Sequence, residues 1–312
     1  MGVRFSTTSH SDLRSQMSSP IKLADHFNGE QCAISFELFP PKTDAGMDLL
    51  EKNVERLKAF QPSFFTCTYG AGGSTQSRTL DVVQRVREMT GLPVASHLTC
   101  VGSTVEQLRE YLAEAKRRGA DYIVALRGDP PKGSESFQAV EGGLRYANEL
   151  VELIQASFPD QFGIAVAGYP EIHQEAPDAQ TDLDNLKRKV DAGADVIVTQ
   201  LFYDNDDFYR FRDACQTAGI SIPIVPGILP VTNFKQALRI AGMCKARIPD
   251  QMAAAMNEND DADYQFKVGV DHARVQTIDL IENGVPGIHY YVLNKSDAAG
   301  QMLDGLSLGV QS

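Results

Sequence analysis

Short apolar runs alternate with longer amphipathic ones along nearly the whole chain, and this alternation limits the possible folds more than any other feature. The short runs are Ala33–Leu38, Phe64–Thr68, Val94–Leu98, Tyr122–Leu126, Gly163–Ala167, Val196–Gln200, Ile222–Pro226 and Ile288–Leu293. Their length and near-continuous hydrophobicity suit strands covered on both faces, as in a parallel sheet. Helical patterns lie between them, over Met47–Phe60, Gln76–Thr90, Thr104–Arg118, Val140–Ser157, Asp182–Ala192, Asp206–Ala218, Asn233–Cys244 and Gln265–Asn283. In the second pattern Leu80, Val83, Val86 and Met89 share one face. Five helical patterns stop at a glycine just before a strand: Gly91, Gly119, Gly193, Gly219 and Gly284. A glycine there accepts the left-handed conformation that ends a helix. Repeating it suits a row of short connections at one end of a parallel sheet.

Eight strand–helix units predict an α/β fold, a (β/α)8 TIM barrel. A length of 312 residues fits one such barrel with insertions. A doubly wound open sheet is the competing architecture, but it calls for a glycine-rich dinucleotide turn after an early strand, and no GxGxxG occurs. No interdomain linker interrupts the pattern. Residues 1–20, polar and Ser-rich, are expected to form a disordered lead-in, with the single barrel domain over 21–312.

The net charge of −12, without a basic block, argues against nucleic acid and against anionic membranes as partners. No window holds eighteen apolar residues and no apolar signal stretch opens the chain, so the expected location is cytoplasmic. The five cysteines form no CxxC and are read as small buried hydrophobes rather than disulfide or zinc ligands.

In barrels of this kind the chemistry sits at the C-terminal ends of the strands. There the sequence turns polar: Glu37 in the first strand, Thr68 with the glycines up to Ser74 after the second, and His97 at the third. Arg127-Gly128-Asp129 follows the fourth, Tyr169 to His173 the fifth, and Gln200 ends the sixth. Each residue also has a plainer role open to it. Glu37 could pair with a buried Arg, His97 could be a hydrogen-bonded core histidine, and Arg127 and Asp129 could pair with each other. The glycines could form a simple flexible loop, and Gln200 could cap a helix. Lys187-Arg188-Lys189, three consecutive cations in an acidic chain, could be a solvated helix face or could meet a pyrophosphate.

No HExxH, no recognisable metal-ligand spacing, no GxSxG and no strand-end Lys is present, so a resident metal is not expected. What remains, one acid, an Asp beside an Arg, a His and neutral hydrogen-bonders, suits a cofactor that brings its own reactivity. The rival is a flavin-free, phosphate-binding barrel lyase or aldolase using the Lys187–Lys189 cations.

With these motifs in hand, the chain closely resembles the 5,10-methylenetetrahydrofolate reductases of the short bacterial type. The segments carrying the resemblance are SFELFPPK at Ser35–Lys42, TYGAGGS at Thr68–Ser74, HLTC at His97–Cys100 and ALRGDPP at Ala125–Pro131. They continue with GYPEIHQEA at Gly168–Ala176, NLKRKVDAGAD at Asn185–Asp195, TQLFYD at Thr199–Asp204 and PGILPVTNF at Pro226–Phe234. The resemblance implies a flavoenzyme holding FAD that reduces 5,10-methylenetetrahydrofolate to 5-methyltetrahydrofolate with NADH or NADPH. It implies ping-pong behaviour and a homo-oligomer.

It also implies roles residue by residue. The proton donor corresponds to Glu37, which would open the folate ring by protonating N10; burial among apolar neighbours favours the neutral form of a carboxyl. FAD contacts correspond to Thr68, Tyr69, Ala71, His97, Arg127, Gly128, Asp129, Tyr169, His173, Ala176, Asp182, Asn185, Arg188 and Lys189. Folate contacts correspond to Asp129, Gln200 and Lys295, with Asp129 also steadying the developing cation. Two positions depart from the family pattern: Lys295 stands where Arg is usual, and Met256 falls where an aromatic stacking residue is expected. The chain ends at Ser312, so regulation by S-adenosylmethionine through a further domain is not expected.

Overall fold

All eight apolar runs become strands. The structure, a computed structural model, describes residues 22–69, 76–130 and 137–306. The proposed lead-in and Ala71 lie outside the described residues. The strands are β1 (Ala33–Leu38), β2 (Phe64–Cys67), β3 (Val94–Thr99), β4 (Tyr122–Leu126), β5 (Gly163–Gly168), β6 (Val196–Leu201), β7 (Ile224–Ile228) and β8 (Gly287–Tyr291). They pair in chain order, all parallel, and β8 closes on β1 to complete the barrel. The helices are α1 (Asp44–Lys58), α2 (Gln76–Thr90), α3 (Val105–Arg117), α4 (Ala147–Ser157) and α5 (Ala179–Asp191). They continue with α6 (Asn205–Thr217), α7 (Phe234–Cys244), α8 (Asp250–Asn257), α9 (Ala262–Glu282) and α10 (Asp297–Leu303). The five helix-ending glycines all take positive φ, between +69° and +111°. Among the described residues no helix is long and apolar enough to cross a membrane. All five cysteines are free; Cys67, Cys100 and Cys215 are buried, and Cys32 and Cys244 are half-buried.

The α4 expectation is corrected. Val140–Ser157 was expected as one helix, yet the helix starts at Ala147. Gly142, at φ +72°, turns the chain, and a Cβ on Gly143 would stand 2.7 Å from the Ser103 carbonyl. Gly143 bridges to Thr104 instead. Residues 137–146 therefore run as an irregular loop over the top of β4.

Alternation along the strands sorts side chains between two layers. Phe36, Leu38, Phe65, Leu98 and Ile123 point outward and are buried under the helices. Ala33, Phe64, Ala95, Tyr122 and Val196 point inward and fill the lower barrel, closed from below by Leu23 and Phe27 of a short 3-10 helix. Two residues higher on the same inner face, the β8–β1–β2–β3 side turns polar. Burying most of these groups is tolerable because they pair with or closely approach one another.

Candidate active site

Glu37 sits on the inner face of β1, 7% exposed. Its sequence neighbours Phe36 and Leu38 face the other way, into the outer layer, so the expected apolar setting is corrected: the carboxyl is surrounded by polar groups. Nor does it pair with a buried Arg. Its Oε2 lies 3.5 Å from His97 Nε2 and 3.7 Å from His289 Nε2. These approaches are a few tenths of an ångström longer than hydrogen bonds, as catalytic contacts in ligand-free enzymes often are. His97 Nε2 also lies 3.3 Å from Thr66 Oγ1, and burial pushes this histidine down to about 4, so it is neutral at pH 7. His289 Nδ1 lies 2.8 Å from Ser35 Oγ.

The barrel's register brings these groups together. Ser35 is opposite His289 and Glu37 is opposite Tyr291 across β1 and β8, while Glu37 is opposite Thr66 across β1 and β2. The Tyr291 hydroxyl donates to the Thr199 carbonyl at 2.6 Å. That approach requires glycine at 227, where a Cβ would lie 2.6 Å from the tyrosine ring. Thr99 completes this side with a buried hydroxyl that has no hydrogen-bond partner among the described residues.

Beside this polar wall, at the tops of β4 and β5, a cavity of about 760 Å³ opens under the 137–146 loop and against α5. Among the described residues, Arg127, Arg145, Arg188 and Lys189 line it against two carboxylates, Glu175 and Asp182. A net-cationic lining in a chain of charge −12 marks an anion site. Arg127 does not pair with Asp129; it forms a two-pronged ion pair with Glu175, at 2.5 and 2.7 Å, and covers the Phe137 ring. Gly128 is half-buried with φ +87°, and Asp129 is exposed. Asp182 accepts the backbone N–H of His173 at 2.9 Å, and the His173 ring stands edge-on to Tyr169. Ala176 lies on the same wall and donates its N–H to the His173 carbonyl at 2.9 Å.

The cations of α5 are not at a helix start. The helix is capped by Asp178, and Arg188 and Lys189 occupy its last turn. They reach the cavity because helical side chains lean back toward the N-terminus. Lys189 reaches the Ala167 carbonyl at the top of β5, and burial pushes its ammonium down to about 8. Arg188 donates to Asn185 at 3.0 Å, whereas Lys187 points away and pairs with Asp191 at 2.7 Å.

Other expected site residues are more scattered. Thr68 is half-buried at the end of β2, its carbonyl accepting from Thr79 at 3.0 Å. The Tyr69 ring is buried in the outer layer, edge-on to Tyr111. Gln200 caps no helix; its Oε1 accepts the backbone N–H of Leu201 at 2.9 Å where the β6–β7 register shifts. Lys295 is exposed beyond β8, next to Asn294, whose amide grips both the N–H and the carbonyl of Phe39 at 2.7 Å. Met256 is fully buried among Leu201, Tyr203, Leu229 and Met252, so it stacks on nothing in the mouth. Sequence reading passed over His289, Ser35, Thr66, Tyr291 and Glu175. The signal for the first four was strand parity: they fall on the same inner face as Glu37 and His97.

A buried acid at the strand carboxyl ends, opening beside an anion-binding cavity, is the layout of a barrel enzyme. The model of the methylenetetrahydrofolate reductase family matches residues 22–307. The chain is 42% identical over 268 residues to 5,10-methylenetetrahydrofolate reductase of Escherichia coli, covering 86% of this chain and 88% of that protein. It is also 42% identical over 288 residues to methylenetetrahydrofolate reductase (NADH) 1 of Arabidopsis thaliana, covering 89% of this chain but 49% of the plant protein. The chain thus spans about half the length of the plant relatives it matches. Among solved structures, an uncharacterized Clostridium thermocellum protein that binds two copies of 5-methyl-5,6,7,8-tetrahydrofolic acid superposes with a TM-score of 0.60 at 15% identity. That match covers 89% of this chain and 95% of the other, and it establishes the fold alone. The chain belongs to the methylenetetrahydrofolate reductase family.

Proposed function

We propose that the protein reduces 5,10-methylenetetrahydrofolate to 5-methyltetrahydrofolate, with FAD as the resident cofactor and NADH or NADPH as electron donor. The observation that carries this reading is a buried acid, Glu37, on the inner face of β1 in the same barrel whose β4 and β5 ends carry a net-cationic cavity. The cavity's size and charge suit an anionic cofactor. Arg188 and Lys189 would hold the diphosphate, with Asn185 and Asp182 ordering the same helix face and Arg127, Tyr169, His173 and Ala176 completing the wall. Bound there, FAD would accept reducing equivalents from the nicotinamide and pass them to the folate in separate steps.

The chain's own residues supply the rest. Glu37 gives its proton to N10 of the folate, the imidazolidine ring opens, and an iminium forms at N5. Asp129 holds the pterin amino group and offsets the positive charge. Gln200 turns its amide from Leu201 to the pterin, and Lys295 meets the acidic tail as a point charge. The test is anaerobic. The purified protein should show a flavin spectrum that NADH bleaches and methylenetetrahydrofolate restores. Protein that binds no added FAD, or reduced flavin that the folate cannot reoxidise, contradicts the reading.

A further inference from the structure

The half of the mouth that handles the proton contains a hydrogen-bonded pair with no role in the mechanism above. Ser35 and His289 are 1% and 2% exposed and face each other across β1 and β8. The pair is too deep to touch a ligand in the cavity. We propose that Ser35 fixes the tautomer of His289, so that the imidazole presents an N–H to Glu37 and steadies the carboxylate left when that acid gives up its proton. This rests on the reading of Glu37 as the proton donor to folate.

The argument is one of hydrogen counting. Among the described residues, the Ser35 hydroxyl makes one hydrogen bond, to His289 Nδ1 at 2.8 Å. A buried hydroxyl with one partner satisfies its proton by donating it; accepting instead would leave the O–H unpaired in a dry interior. Nδ1 therefore accepts, and the ring proton sits on Nε2. That nitrogen is the one 3.7 Å from Glu37 Oε2. The other titratable neighbours of Glu37 are His97 from β3, Tyr291 from β8 and Cys67 from β2. Among the described residues no Lys or Arg pairs with it, so its charged form depends on neutral donors. In the transfer the Glu37 O–H bond breaks, an N–H bond forms at N10, and the electron pair stays on the carboxylate oxygen. His289 keeps its proton throughout, and water resupplies Glu37 before the next turnover. Ser35 and His289 are thus positioning residues, acting through Glu37.

The sign of the effect follows. A half-reaction that takes its proton from an acid slows as pH rises, and the folate half-reaction is such a step. Without an Nε2–H donor the carboxylate is less favoured, so the acid keeps its proton to higher pH and is also a weaker acid. In the FAD-loaded enzyme, Ser35→Ala should move the alkaline limb of that half-reaction to higher pH by about one unit and lower its plateau several-fold. Ser35→Thr, which keeps the hydroxyl, should restore both. A Ser35→Ala limb that superimposes on that of the parent overturns the proposal. A second measurement needs neither flavin nor folate: the imidazole ¹⁵N signals of His289, assigned by their loss in His289→Gln. A protonated Nε2 with a bare Nδ1 is expected in the parent; protonation at Nδ1 overturns the assignment. If the parent fails to reduce methylenetetrahydrofolate, the proposed function falls, and the ¹⁵N result still decides the tautomer.

Discussion

The two sides of the barrel mouth are built differently. On the β8–β1–β2–β3 side the working groups are short side chains on the strands themselves: Glu37, Thr66, His97, Thr99 and His289, all buried. On the β4–β5 side they are long or loop-borne: Arg127 with its partner Glu175, and Arg188 and Lys189 reaching up from the far end of α5. The difference suits the two tasks proposed for them. Delivering a proton needs an acid held to within a fraction of an ångström in a dry setting, which strands provide. Holding a large anion needs several cations over a wide surface, and small displacements of each matter little.

The sharpest way to break the comparison is at Glu37. Glu37→Gln should leave flavin bound and its reduction by NADH intact, while folate reduction falls by ~10²- to 10⁴-fold, the scale of a positioned acid. Stopped-flow measurement of each half-reaction separates the two, and near-normal folate turnover refutes the role. Next comes the cationic side. Arg188→Ala combined with Lys189→Ala removes two charge-assisted hydrogen bonds to phosphate, so FAD should bind ~10²-fold more weakly. An unchanged circular dichroism spectrum should accompany the loss; full flavin occupancy after dialysis contradicts it.

Lys189 also predicts how flavin binding depends on pH. Burial holds its ammonium at about 8, with Asp182 opposing the shift. The phosphate needs the charged form. Affinity should therefore be flat below about pH 8 and fall by up to ~10-fold per pH unit above it. Lys189→Arg should flatten that slope, and an unchanged slope would show that Lys189 does not carry it. The smallest effect is expected at Asp129. Because it is exposed, Asp129→Asn should weaken folate binding to the oxidised enzyme by roughly 10-fold, the lower end for a hydrogen bond to a charged group. The flavin midpoint potential should rise as a negative charge leaves its surroundings. Tight folate binding in this variant would make Gln200 the leading pterin anchor.

Much of the barrel was legible in the sequence because each strand is a dense apolar run and five helix ends carry a glycine forced into positive φ. Helix starts were less legible. Gly142 and Gly143 lie inside a pattern whose apolar period continues through them, and only the packing of Gly143 on Ser103 shows why the helix cannot begin there. Neither α8 nor α10 was anticipated. In the site, Glu37 and His97 were found from their strand ends, but His289 was hidden in a run that reads as apolar. Its role depends on the β1–β8 register, which joins residues more than 250 apart in the chain. Lys189 lines the cationic cavity from the last turn of α5, a reach that comes from side-chain direction and that the run Lys187-Arg188-Lys189 does not itself reveal.

The division of labour across the mouth is tested most directly by the FAD dissociation constant of Lys189→Ala measured with and without Glu37→Gln. If the two walls do separate jobs, Lys189→Ala should weaken FAD by the same factor in both backgrounds, within about 0.5 kcal/mol, as for independent sites. A factor that changes by ~10-fold or more when Glu37 is replaced would mean that the acid and the cationic wall work as one unit, and would contradict the division.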